Sequence, residues 1–469
     1  MKHTFLVRAI AVAILLVSPN TLAIAQSPSE RQAVGLVLLA KPPAPVEPSE
    51  PRSVYMQYID PIDGQSPDDL VRYALAHNGE LAAARQMIAQ ARGQLRQAGL
   101  RPNPMIEASG SQAVNVPDNS QTFGLELPLE LGGRRVARLS VAEREIQLRQ
   151  AEVADFERRL AAEVRSKYAA AIAAARNLKF IEELLMLTRD SHRIVQAKVE
   201  HGKTAPLEQN LLRVELSRVD SVRIGFESRT EIAVLEIKKS IGMPANEPLR
   251  LRGEFGVDQR PGAIGEAIHQ ALANRADLRV ARAAEALAVA QIEQARREGR
   301  LDASIFANYM RQSMGFDVQG FNRAGALAPV QGVFHYATFG IRLTLPVRNK
   351  NEGLIEAAMA GAEAARTRRE FAETVVRNEV TSAYARFGYA RAALAVYRDN
   401  VREQAFRNLE VIHQTYVLGQ KSVLDYLGEQ RRFIEVETGY TEVLKELFES
   451  LIEIERAAGS AVRSDSSAM

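Results

Sequence analysis

The sequence predicts a mainly α-helical chain with a small β part, built as two copies of one unit: strand, strand, long helix, turn, helix. Three observations predict it. Gly202-Lys203-Thr204-Ala205-Pro206-Leu207-Glu208 has a twin at Gly419-Gln420-Lys421-Ser422-Val423-Leu424-Asp425, each between long helical patterns, and a repeat of this kind decides the architecture. Proline-free stretches of roughly 65 residues flank both turns, enough for helices about 100 Å long. Four short segments alternate apolar and polar residues, the signature of strands with one wet and one apolar face.

The N-terminal residues carry Lys2 and Arg8, an apolar run from Ala9 to Val17, and Ala23-Ile24-Ala25 before Gln26. A basic start, a short apolar run and a small-residue cleavage site predict a signal peptide over 1–25. Residues 26–65 are rich in proline (Lys41-Pro42-Pro43-Ala44-Pro45) and read as an extended leader. Repeat 1 then covers 66–255 and repeat 2 covers 262–458, with a small, polar tail at 459–469 expected to be disordered.

Ser66-Pro67-Asp68-Asp69 opens the first helical stretch with an N-cap, a first-turn proline and first-turn acids. Arg101-Pro102-Asn103-Pro104 stops it. Ala74-Leu75-Ala76 with Leu81 and Ala84-Arg85 returns as Ala271-Leu272-Ala273 with Leu278 and Ala281-Arg282. The strands are expected near 105–113, 122–129, 303–310 and 337–347. In the last, Phe339, Ile341, Leu343, Leu345 and Val347 stand opposite Thr338, Gly340, Arg342 and Thr344. The segment Ser313–His335, glycine-rich and aromatic, reads as a loop.

From Gly133 to Glu200 apolar residues recur every three or four positions, among them Val153, Leu160, Val164, Tyr168, Ile172, Leu178 and Leu185. Asn349–Val417 repeats the pattern, and Leu427, Ile434, Thr441 and Phe448 follow a seven-residue spacing that suits coiled-coil packing. Helices of this length point to a tube, fibre or repeat. Four strands cannot close a barrel, since about eight are the minimum, so an oligomer with a shared barrel follows.

Composition narrows the function. The sequence has no cysteine, which excludes disulfides, thiolate metal sites and a lipid-anchoring cysteine. Its formal charge of +3 falls to +1 once Lys2 and Arg8 leave with the signal peptide, so no field draws nucleic acid. Basic and acidic residues interleave along helices as solvated faces. Gly202-Lys203-Thr204 resembles the end of a phosphate-binding loop, but Ala197 stands where its first glycine is needed. None of the seven histidines has metal-ligand spacing on one helix face, although His201 and His413 both fall near the turns. No cofactor motif, metal site or hydrolase motif is visible, and the chain reads as no enzyme.

Together these landmarks resemble the TolC family of outer-membrane efflux channels, over about 66–458 in both copies. The residues that carry the resemblance are Asn103-Pro104, Leu127-Pro128-Leu129-Glu130-Leu131-Gly132-Gly133-Arg134-Arg135, Leu345-Pro346-Val347-Arg348-Asn349-Lys350-Asn351-Glu352-Gly353, and the two glycine turns. Leu131-Gly132-Gly133-Arg134-Arg135 looks most like the CzcC branch, which serves metal-exporting pumps. The resemblance implies a homotrimer with a twelve-stranded β-barrel in outer-membrane lipid and an α-helical barrel through the periplasm. It would be a passive conduit for metal ions or small toxic compounds, supplied by a periplasmic adaptor (membrane fusion protein) and an inner-membrane pump of the RND type.

By the same resemblance Glu126 and Arg342 would face the lumen. Gly202, Thr204, Leu207, Gly419, Ser422 and Leu424 would form the periplasmic tips and meet the adaptor. Tyr416 and Lys421 would bond Glu208 to hold the tips shut, and Asp425 would form an acidic ring about the threefold axis. Three carboxylates about 6 Å apart repel by roughly 3 kcal/mol per pair at an effective dielectric near 20, which favours bound cations. The chain departs from the family at Gly428, where a second acid is expected, so the resemblance does not carry the lower acidic ring over to this chain. Two alternatives stay open from sequence: a periplasmic coiled-coil structural or adhesive stalk, and an outer-membrane channel for type I protein secretion.

Overall fold

A computed structural model of the chain describes residues 53–114, 118–253, 255 and 260–459. The expected signal peptide, residues 26–52 of the expected leader and residues 460–469 of the tail lie outside the described residues.

Residues 53–65 correct the expectation of an extended leader. They form a helical turn, α1 (Tyr55–Tyr58), and bridge Ile59 and Gln65 to Leu251 in parallel. The cause is apolar content: Tyr55 and Tyr58 pack on the core that buries Ile59, Leu70, Val164 and Leu251. The proline-rich composition ends at Pro51, so the leader character does not reach Ser66.

The first helical stretch is two helices, α2 (Pro67–His77) and α3 (Gly79–Ala98), divided at Asn78. Ser66 and Asp69 close a capping box at α2, and the Asn78 side chain accepts from Leu81 N at 2.9 Å to start α3. The second copy repeats the break: α6 (Ile264–Asn274) and α7 (Ala276–Glu298) divide at Arg275. The long pairs are α4 (Arg134–Glu200) with α5 (Pro206–Ile241), and α8 (Glu352–Val396) and α9 (Arg402–Val417) with α10 (Val423–Ala458).

Matched contacts carry the duplication into three dimensions. Arg85 donates to the Leu75 carbonyl at 3.0 Å, and Arg282 donates to the Leu272 carbonyl at 2.8 Å. The left-handed glycines that end α5 and α10, Gly242 and Gly459, each press on the break of their own repeat. A Cβ on Gly242 would stand 2.8 Å from the His77 carbonyl oxygen, and one on Gly459 would stand 3.0 Å from Arg275 Cγ.

α4 is unbroken for 67 residues and buries Val153, Leu160, Val164, Tyr168, Ile172, Leu178 and Leu185, as its spacing predicts. The second copy differs. A five-residue π-helix, Tyr397–Val401, separates α8 from α9. The wider turn sets the Tyr397 ring against Gly439, where a Cβ would stand 2.6 Å from its hydroxyl oxygen. It also brings Arg402 over the Tyr440 ring and to Glu437 at 2.5 Å. No proline or glycine signals the break, and a single widened turn is a known disturbance of long helices.

The four strands, β1 (Met105–Gln112), β2 (Asn119–Pro128), β3 (Asp302–Phe321) and β4 (Leu327–Thr344), form one antiparallel sheet in chain order. The segment expected as a loop at Ser313–His335 is mostly strand. A tight turn at 322–326 closes it, with Asn322 Oδ1 accepting from Ala324 N and Ala326 N, both at 3.0 Å. Here β3 and β4 run on together past Ser313, the last partner of β2, and a register shift between Gly315 and Gln319 obscures the alternation.

Candidate functional site

The sheet register sorts its residues onto two faces. Ile106 pairs with Leu125, Phe123 with Tyr309, Leu125 with Ala307, Leu127 with Ile305, Ala307 with Phe339 and Ile305 with Ile341. All lie on one side, which stays uncovered in the single chain: Phe339 is 78% exposed, and Ile106, Leu125 and Ile341 are exposed too. A sheet in water buries such a face on a core or a helix. From Ala337 to Val347, at about 3.3 Å per residue and about 40° of tilt, the apolar band is about 25 Å tall, the height of a bilayer-facing band. At its far edge the Tyr309 hydroxyl and His335 Nδ1 are hydrogen-bonded at 2.6 Å, an amphipathic pair suited to an interface.

The opposite face is polar. It brings together Glu126 of β2 and Arg342 of β4, both expected from sequence. They form an ion pair across β3, and Ser304 Oγ donates to Glu126 at 2.5 Å. Arg342 also lies over the Phe306 ring, 5.4 Å from its centroid. Phe306 lies flat on Gly340, where a Cβ would stand 2.5 Å from the ring. Phe306 was not singled out from sequence, but a lone glycine inside a well-alternating strand is a sign of such close approach.

The two turns close in the same way. Gly202 and Gly419 adopt φ of 68° and 81°. Lys203 N donates back to the Lys198 carbonyl at 2.8 Å, and Gln420 N to the Thr415 carbonyl at 2.9 Å. Each is a left-handed helix stop that glycine makes without strain. Thr204 and Lys421 occupy equivalent positions, and Leu207 and Leu424, both exposed, open the helices that follow. Pro206 begins α5. Ser422 caps α10, where it forms a capping box with Asp425.

The structure places Tyr416 and Glu208 together: the tyrosine hydroxyl donates to Glu208 Oε2 at 3.3 Å. Tyr416 stacks on Tyr426 with parallel rings 5.7 Å apart. Burial, and then the Glu208 carboxylate, push the Tyr416 hydroxyl far above its ordinary range, so it remains a donor. Lys421 is not joined to Glu208: among the described residues its own chain offers it no ion pair. The Asp425 carboxylate turns back to its helix, accepting from Ser422 N at 3.1 Å and Ser422 Oγ at 2.9 Å. These bonds, with Lys421 contributing least, hold it below the usual carboxylate range. His413 packs on Tyr426 at 5.1 Å and burial lowers its proton affinity. Among the described residues no group of three histidines, cysteines or carboxylates could hold a metal ion.

Sequence reasoning missed Tyr426 and Glu215. Tyr426 is wholly buried between the hairpins with Val195, Leu212 and Val423. Glu215, also buried, binds Arg218 of its own helix at 2.5 Å and joins α5 to α10 through Arg431 at 3.1 Å. A buried acid between two arginines leaves no mark in one sequence, because each looks like a solvated charge.

Comparison with known proteins follows the same division into halves. The outer membrane efflux protein model matches residues 70–243 and 267–460, one stretch in each copy. The chain is 22% identical to the cobalt-zinc-cadmium resistance protein CzcC of Cupriavidus metallidurans, over 98% of this chain and all of that one. It is 30% identical to the nickel-cobalt-cadmium resistance protein NccC of Alcaligenes xylosoxydans xylosoxydans, over 28% of this chain and 29% of that one. Among solved structures, the CmeC outer membrane channel of Campylobacter jejuni superimposes with a TM-score of 0.69 at 15% identity, covering 85% of this chain and 86% of that one. Among the described residues no helix is long and apolar enough to cross a membrane. With both halves of its duplication matched, this chain belongs to the outer membrane efflux protein family.

Proposed function

We propose that three copies of this chain close into one outer-membrane channel, the passive exit duct of a tripartite efflux system for metal cations. The observation that carries it is the four-stranded sheet with one uncovered apolar face and two free edges, β1 and β4. An even number of strands lets the β4 edge of one copy meet the β1 edge of the next antiparallel, so copies add without a mismatched seam. Three sheets of four exceed the minimum for closure, turn the apolar face to lipid and leave Glu126 and Arg342 inside. A periplasmic stalk has no use for that uncovered face, which argues against the stalk alternative. CzcC and NccC, named for cobalt, zinc, cadmium and nickel resistance, support metal cations as the cargo.

The helical tips are the gate in this reading. Tyr416 ties Glu208 within one chain, while Lys421, exposed and without an intrachain ion pair among the described residues, reaches an acid of the neighbouring copy. Asp425 lines the aperture with its outer oxygen. Gly202, Thr204, Leu207, Gly419, Ser422 and Leu424 present two equivalent tips, each with an exposed leucine, to the adaptor delivering cargo from an RND-type pump.

Two measurements test the proposal together. The chain should fractionate with outer membranes as a trimer band that heating converts to monomer. A strain lacking it should become sensitive to cobalt, zinc or cadmium before it becomes sensitive to drugs. Recovery as a monomer in the soluble periplasm would sink the channel, whereas drug sensitivity alone would overturn only the metal assignment.

A further inference from the structure

At the end of the sheet from which the helices leave, an exposed aliphatic side chain adjoins an exposed arginine beside every strand. Leu100-Arg101 precedes β1, Arg135-Val136 follows β2, Arg300-Leu301 precedes β3 and Val347-Arg348 follows β4. The four aliphatic residues are 38 to 74% exposed. Among the described residues none of these four arginines has an acidic partner at ion-pair distance. Their neighbours Arg134 and Arg138 are bound instead, to Asp302 and Glu130.

Three contacts hold the four pairs in one row. Arg135 Nε donates to the Gly99 carbonyl at 2.6 Å, beside Leu100-Arg101. Arg134 donates to the Arg300 carbonyl at 2.8 Å, tying the β2 end to the β3 start. Gly299 fits against Lys350, whose carbonyl oxygen a Cβ would approach to 2.2 Å, and so joins the β3 start to the segment after β4. The row is continuous with the apolar face through Leu345 and Val347, both exposed.

We infer that this row is a binding belt for anionic phospholipid headgroups, with its aliphatic members at the acyl boundary and its arginines on the phosphates. Unpaired arginines edging an apolar band have a planar fork that suits phosphate, and aliphatic neighbours seat them at headgroup depth. The helices leave from this end, so the leaflet engaged is the periplasmic one. The inference rests on the reading of the sheet as bilayer-embedded.

The test uses the full chain purified in detergent and incubated with equal parts phosphatidylethanolamine and phosphatidylglycerol, with retained lipid measured by mass. Phosphatidylglycerol should be enriched by about five-fold or more, as one engaged cation implies, and high salt should erase the preference. Arg101→Gln, Arg300→Gln and Arg348→Gln combined should bring retention to parity, and the corresponding lysine variant should keep most of the preference. Equal retention by the natural chain, a preference that survives high salt, or an unchanged glutamine variant would overturn the belt. Preferential retention of added lipopolysaccharide would overturn the leaflet assignment. Failure to fractionate with outer membranes sinks the channel reading instead, whereas a membrane trimer without the anionic preference sinks this inference alone.

Discussion

In the proposed gate, Tyr416 would serve both packing and control. Its ring is stacked on buried Tyr426 while its hydroxyl reaches Glu208, so the bond between the two tips is backed by an apolar surface. Tyr416→Phe keeps the stack and removes the bond, at a cost of about 1 kcal/mol, or about five-fold in the balance between closed and open. Single-channel recording should find open events about that much more frequent, and an unchanged record would exclude the bond from gating. Lys421→Glu should raise conductance as well, and a double variant with both changes tests whether the two ties are independent. The pH dependence follows in sign. A tyrosine held above its ordinary value of 10.0 in the fold keeps its proton through that value, and the bond is lost only as pH rises through the higher folded one. Conductance should therefore not rise between neutral pH and the ordinary tyrosine range on this residue's account.

At the level of elements, the sheet and the π-helix mark what one sequence makes legible. Strict alternation at Phe339, Ile341 and Leu343 located β4 because one face there is wholly apolar, which is the signal that period two provides. Beyond Tyr336 the alternation fades, since past the apolar band neither face needs to be greasy, and the glycines there read as loop. Glu126 and Arg342 were legible as charges on one face, but their pairing depends on a register that only the assembled sheet supplies. The break at Tyr397 was not legible, because no proline or glycine marks it and the glycine its ring packs against, Gly439, lies on another helix. Ile341→Lys sets a charge into the apolar band and should cost about 2–4 kcal/mol near a bilayer midplane. The heat-modifiable trimer should be lost or should melt well below the natural one. The exchange Thr338→Lys, on the polar face, should leave it intact, and equal tolerance of both would mean that the apolar face does not meet lipid.

Across the whole molecule, duplication sets equivalent joints under different chemistry. Asn78 divides the first pair of short helices with a neutral cap, but Arg275 divides the second with a cation only 1% exposed. That arginine binds Asp277 at 2.6 Å and Glu379 at 2.7 Å, and donates to the Ala457 carbonyl at 3.3 Å, so the entry to α7, the middle of α8 and the end of α10 meet on one side chain. Arg275→Ala removes the nearest cation from two half-buried carboxylates and leaves each a more distant arginine, Arg158 at 3.8 Å from Asp277 and Arg456 at 3.6 Å from Glu379, so it should cost about 1–3 kcal/mol, read as a lower thermal midpoint. Asn78→Ala should cost about 1 kcal/mol, as lost helix caps do.

The unequal strand lengths have a consequence for the cell exterior. β1 ends at Gln112 and β2 pairs no further than Ser313, so the hairpin of β3 and β4 continues alone to its turn at 322–326. Three such solitary ribbons would stand above the bilayer like a crown, supported by no neighbouring strand and offering free backbone to whatever approaches. Arg323 at their summit makes trypsin the natural probe: intact cells should yield a nicked chain while buried efflux machinery survives. Antibodies, bacteriophages and bacteriocins searching the surface would meet these spires first.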